Sequence, residues 1–163
     1  MKIITTAILA GVILAVTFCT STPNAKSNEA QIKEEIARLL ASYVNTVNSN
    51  GLEKAAAYFS EDERFYWVED GMVQYPDRKA LLEGIASLAP VVSSVRMQVL
   101  DTKIDVIDAQ HALLFVQYKE DIHLKSDYTV KLDGAMTIMV EQKDNTWKFL
   151  SGHSSVKKTR PQS

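Results

Sequence analysis

The chain has 163 residues, 46% of them hydrophobic and 23% charged, with a formal net charge of −2. That length fits one ordinary domain able to bury its apolar surface without staples, and so mixed a composition excludes a low-complexity chain. The charge balance, with no Lys/Arg cluster before Lys157-Lys158-Thr159-Arg160 at the tail, argues against nucleic acid as a partner.

Residues 1–21 read as a secretory signal peptide. Lys2 supplies the positive start, and Ile3 to Phe18 is an apolar run broken only by Thr and Gly. The run is shorter than the roughly 20 residues a spanning helix needs. Cleavage after Ser21 fits the small residues Cys19 and Ser21, and it would release a secreted or periplasmic domain with no cysteine and hence no disulfide. Cys19 admits a second reading. A cysteine that closes an apolar run and precedes a Ser/Thr/Pro/Asn linker resembles a bacterial lipoprotein site, which would tether the domain to a membrane. Phe18 stands where such sites want a small residue.

Residues 22–27 read as a linker, 28–157 as the folded domain and 158–163 as a disordered tail. Asn28 with Gln31 makes a capping box, and Ile32, Ile36, Leu39, Leu40, Tyr43, Val44 and Val47 recur at helical spacing until Asn50-Gly51 stops the stripe. Leu52 to Phe59 predicts a second, shorter helix. Ser60 to Glu63 is a polar turn into the aromatic stretch Arg64-Phe65-Tyr66-Trp67-Val68-Glu69-Asp70-Gly71. Gly71 permits a reversal, so Met72 to Tyr75 pairs back until Pro76, and Asp77 caps a third helix to about Leu88. From Val91 the period becomes two. Val91 to Ile107, His111 to Leu124, Tyr128 to Gln142 and Thr146 to Val156 predict four long strands, and their three-residue links force antiparallel neighbours. Helices first and a meander afterwards make an α+β fold: a curved antiparallel sheet wrapped around three helices.

In an extended chain, Phe65, Trp67 and Glu69 share one face and Tyr66, Val68 and Asp70 the other. Either register ends an apolar strand in an acid, the arrangement that raises a carboxyl pKa.

The order of these elements, with several local strings, resembles the nuclear transport factor 2-like superfamily and in particular its SnoaL-like members. The strings are Tyr43-Val44 with Asn48-Ser49-Asn50-Gly51-Leu52-Glu53, then Tyr58-Phe59 before an acidic turn. At the end come Met136-Thr137, Lys143-Asp144, Trp147-Lys148-Phe149 and His153-Ser154-Ser155. The resemblance covers about Asn28 to Val156. It implies a cystatin-like cone with a pocket at the wide end and a homodimer through the outer sheet face. The fold hosts isomerases, cyclases, dehydratases and non-catalytic modules, so it does not name an activity.

The resemblance to ketosteroid isomerases of the superfamily makes Asp70 the candidate general base and Tyr43 the candidate oxyanion donor. The later-strand acid of those isomerases has no counterpart in Gly134-Ala135-Met136-Thr137. In structural terms Tyr43 is equally a core residue of its helix, and Asp70 equally opens the Gly71 turn. Alternation over Trp147, Phe149, Ser151, His153 and Ser155 puts His153 on the apolar face, as a proton carrier or as a structural hydrogen-bonding residue. The face of His111, Gln117, Lys119 and Asp121 is polar and reads as wet. Three scattered histidines form no metal-ligand pattern, and no cofactor motif is present. Tyr58, Phe59, Tyr66, Trp67, Met97, Tyr118, Met136, Met139 and Trp147 are candidates to line the pocket, although such a set is first of all a core. Two functions follow. One is a domain that binds a small, largely apolar molecule and acts on it by proton transfer; the other is a non-catalytic dimeric binding module.

Overall fold

The structure, a computed structural model, describes residues 25–157. The expected signal peptide, Cys19 with its two alternative fates, and the tail 158–163 lie outside the described residues.

Helix α1 (Ala25–Asn50) buries Ile32, Ile36, Leu40 and Val47 along one stripe, as the spacing requires. It begins three residues before Asn28. Nothing in Ala25-Lys26-Ser27 breaks a helix, so Asn28 is an internal residue rather than a cap, and Gln31 turns its amide forward to Glu35 at 2.9 Å. Gly51, at φ 80°, ends the helix in the left-handed region. Helix α2 (Leu52–Ala55) then tightens into a 3₁₀ turn over Ala56–Tyr58, in place of a single helix to Phe59.

The strands are β1 (Tyr66–Glu69), β2 (Met72–Tyr75), β3 (Val92–Val106), β4 (His111–Leu124), β5 (Thr129–Lys143) and β6 (Thr146–Val156). Helix α3 (Arg78–Leu88) lies between β2 and β3, and Asp77 caps it by accepting from Ala80 N at 2.7 Å. All six strands join one sheet in the order β2-β1-β6-β5-β4-β3. Short links make β3 to β6 an antiparallel meander. The sheet is mixed rather than purely antiparallel, because β6 returns beside β1 in parallel, Tyr66 against Ser151 and Glu69 against Ser154.

Bulges bend the sheet around α1, at Val92/Ser94 and Val99/Asp101 on β3 and at Met139/Val140 in the β5–β6 pairing. The free edge of β3 is partly closed by a side chain: Asn48 accepts from Met97 N at 2.7 Å and donates to Met97 O at 3.0 Å, as a neighbouring strand would. The core fills the concave face. Leu114, Val116, Ile138, Val140 and Phe149 from the sheet meet the buried stripe of α1.

Candidate functional site

Strand β4 alternates without a bulge, so Ala112, Leu114, Val116 and Tyr118 are all buried on the concave face. The next residue of that parity is Glu120, which sits opposite Met97 of β3 and Leu132 of β5. Phe65, just before β1, and Trp67 within it are buried while Tyr66 is 48% exposed, so Glu69 takes the inner face at the open end, where it is itself exposed. These acids border a cavity of about 410 Å³ at the wide end of the cone. Helix α1 contributes Tyr43, the 3₁₀ turn leads into Phe59, and α3 closes the side with Leu81, Ile85 and Leu88.

The electrostatics follow from that burial. Glu120 is raised above the ordinary 4.5, first by burial and then by Glu69. Glu69 is raised by burial and by Asp70. The Tyr118 phenol is pushed up to about 12 by burial, then by Glu120, Glu69 and Asp70. Tyr43 is pushed up further, by burial and then by Glu120 and Tyr118. The site therefore holds carboxyls that keep a proton longer than usual and phenols that stay neutral donors. Among the described residues no three His, Cys, Asp or Glu side chains come together as a metal site.

Of the residues expected at the site, Tyr43, Phe59, Trp67, Asp70, Met97, Tyr118 and Met136 line this cavity. Asp70 is at its mouth and exposed. With φ 49° beside Gly71 at φ 88°, it opens the two-residue turn to β2. It also ties that turn to β6, its Oδ1 accepting from Val156 N at 3.1 Å and its N donating to Ser154 O at 3.0 Å.

Five expected residues are elsewhere, Met139 among them, half-buried on the convex face opposite Leu113. Tyr66 faces outward for the parity reason already given. The Tyr58 hydroxyl lies between Ser42 (2.6 Å) and Thr46 (2.9 Å) against α1. Trp147 is buried at the opposite end of the strands, with Nε1 donating to Glu35 at 2.9 Å. His153 is exposed on the convex face, paired with Thr137 and Val68, where alternation had put it inside. The cause is one extra residue. In β6, Phe149 pairs with Val140 and Ser151 with Met139, so Leu150 is a bulge and the parity inverts after it. Gly152 then meets the Trp67 ring and Ser154 accepts from Trp67 Nε1 at 3.1 Å, while His153 turns outward.

Glu120 is the site residue that sequence reasoning passed over. Its signal was present, an acid closing the period-two apolar face of β4, which is the pattern that singled out the acids of β1. The odd-numbered face of the same strand, with His111, Gln117, Lys119 and Asp121, is the polar one.

Comparison with known proteins matches residues 36–158 to the model of the SnoaL-like domain. No curated protein sequence matches the chain. Among solved structures, it is similar to a protein assigned as a scytalone dehydratase from Novosphingobium aromaticivorans (TM-score 0.72, 16% identity, 85% of this chain and 92% of that one). It is similar to the hexachlorocyclohexane dehydrochlorinase LinA-type3 from Novosphingobium barchaimii (TM-score 0.66, 14% identity, 85% and 94% covered). A Mycobacterium tuberculosis protein of unknown function is also similar (TM-score 0.67, 21% identity, 85% and 79% covered). At such identities these likenesses speak for the fold. The family match spans most of the sequence, and the chain belongs to the SnoaL-like domain family.

Proposed function

We propose that the wide-end cavity binds a small, largely apolar molecule and moves a proton on it, with Glu120 as the proton carrier and the Tyr118 and Tyr43 phenols as donors to developing negative charge. The observation that carries this reading is Glu120 itself, a partly buried carboxyl facing a hollow of apolar side chains, with no ion-pair partner among the described residues. Its raised pKa suits proton exchange with a weakly acidic C–H. The phenols, neutral across the physiological range, suit an enolate oxygen or a leaving group. Asp70, the base implied by the isomerase resemblance, is engaged by Val156 at the exposed mouth and serves this reading as a rim residue. The names of two similar structures, a dehydratase and a dehydrochlorinase, agree with proton removal from carbon as chemistry this fold can host.

Deuterium wash-in tests it. A panel of cyclic ketones is incubated with the protein in heavy water and mass spectrometry follows exchange at the activated C–H. Exchange is expected with the native chain and Asp70→Asn, and not with Glu120→Gln. Binding without exchange in the native chain overturns proton transfer and leaves the non-catalytic module.

A homodimer belongs to the same proposal. On the convex face Leu113 pairs with Met139 beside Phe115, all only half-buried, which is the surface a second copy would cover. Light scattering at micromolar concentration checks it, with dimer mass expected and monomer mass against it. Export to the periplasm or beyond remains the reading of residues 1–21, checked by the N-terminal sequence of the mature protein.

A further inference from the structure

We infer that the ligand of the wide-end cavity is an organic cation, a protonated amine on an apolar body, held by Glu69 and Glu120 against a wall of aromatic rings. This rests on reading the cavity as a binding site and adds the class of molecule that enters it.

Three carboxylates border the space, Glu69, Asp70 and Glu120, and among the described residues its lining has no lysine, arginine or histidine. The imbalance is local. Elsewhere in the chain Asp62 pairs with Arg64 and Lys143, Glu141 with Arg64, Glu29 with Lys33 and Glu34 with Arg38. An anionic ligand would lose its hydration and enter a field of its own sign, which no cationic side chain of the lining offsets. A neutral one would cover the carboxylates and leave their mutual repulsion in place. A cation relieves both costs.

A second observation points the same way. The Tyr118 side chain is only 7% exposed, lines the cavity, and its phenol has no hydrogen-bond partner among the described residues. The ring is packed while the hydroxyl stays open to the cavity, where its oxygen can accept from an ammonium N–H. The rings of Tyr43, Phe59, Trp67, Tyr75 and Tyr118 border the same space, and aromatic faces attract cations. The apolar side chains of α3 receive the rest of the ligand.

The test uses three probes of one shape, phenylbutylamine, phenylbutanol and phenylbutyrate, titrated calorimetrically into the full chain at about pH 7, where the first is a cation and the last an anion. The amine should bind about tenfold or more tighter than the alcohol, with the carboxylate weakest. In the Glu69→Gln/Glu120→Gln double variant the amine should fall to the affinity of the alcohol, whose unchanged binding shows that the cavity persists. Glu83→Gln, exposed on α3, should keep the amine's advantage. The inference is overturned if the alcohol or the carboxylate matches the amine in the native chain, a comparison that needs no variant to fold. It is equally overturned if the advantage survives in the double variant. Alcohol binding with no preference for the amine sinks the charge assignment alone, whereas silence from all three probes takes the binding site with it.

Discussion

The two ends of the strands treat polar groups in opposite ways. At the packed end the buried Glu141 carboxylate accepts from Ser60 and from Arg64 at 2.7 Å, and the buried indole of Trp147 donates to Glu35. At the wide end Glu120, Tyr118 and Tyr43 face a hollow and one another. The packed end satisfies its buried polar groups within the protein, whereas those of the wide end are left open to the hollow, where a ligand can meet them.

The comparison is broken most severely from the packed side. Phe149 is 1% exposed and meets Tyr43 and Phe59 edge-on, at centroid separations of 5.2 and 5.5 Å. Phe149→Ala should cost about 3–5 kcal/mol in chemical denaturation. Glu141→Ala should cost less, about 2 kcal/mol, because the buried Ser60 hydroxyl loses the acceptor for its proton and keeps only the bond from Asp62 N, while the largely exposed Arg64 recovers water. A loss as large as that of Phe149→Ala would mean that the network, and not the core, holds that end together.

At the wide end the sign should reverse. Glu120→Leu removes a desolvated carboxyl that has no partner, and should leave stability unchanged or raise it by up to about 1 kcal/mol while abolishing binding and exchange. A clear destabilisation would show that Glu120 belongs to the scaffold. The pH dependence sharpens the contrast. Glu120 and Glu69 are raised in the folded chain, so the fold holds protons that the unfolded chain releases. Their contribution is fully present below the ordinary value of 4.5 and is lost as pH rises through the raised folded values. Thermal melts of Glu120→Gln from about pH 4 to about pH 8 should therefore decline less with pH than the native chain across that window. Asp62 and Glu35, both lowered, act in the opposite sense and cost stability as pH falls. The smallest effect belongs to His153→Ala on the convex face, within about 0.5 kcal/mol and without consequence for ligand binding. Loss of binding there would return the histidine to the site.

Much of this architecture was legible residue by residue. The stripe from Ile32 to Val47, the Asp77 cap, the Asp70-Gly71 reversal and the switch to period two after Pro90 each report a local rule, and the elements formed where those rules apply. The site was half legible. Trp67, Tyr118 and Met136 stood out as large side chains at core spacing, yet Trp147 has the same signature and packs at the other end. Spacing along a strand tells which face a residue takes and is silent about which end of the sheet holds the hollow.

The sequence by itself determined the order of helices and strands, the antiparallel meander and the apolar face of β4, because these depend on neighbours a few residues apart. Three things were left to the tertiary structure. The parallel return of β6 beside β1 is a contact between distant segments. The bulge at Leu150 turns His153 outward through a single unpaired residue that no periodicity announces. The convergence of Glu69 and Glu120 on one cavity depends on how far the sheet bends, and that is set by the packing of the whole chain around α1.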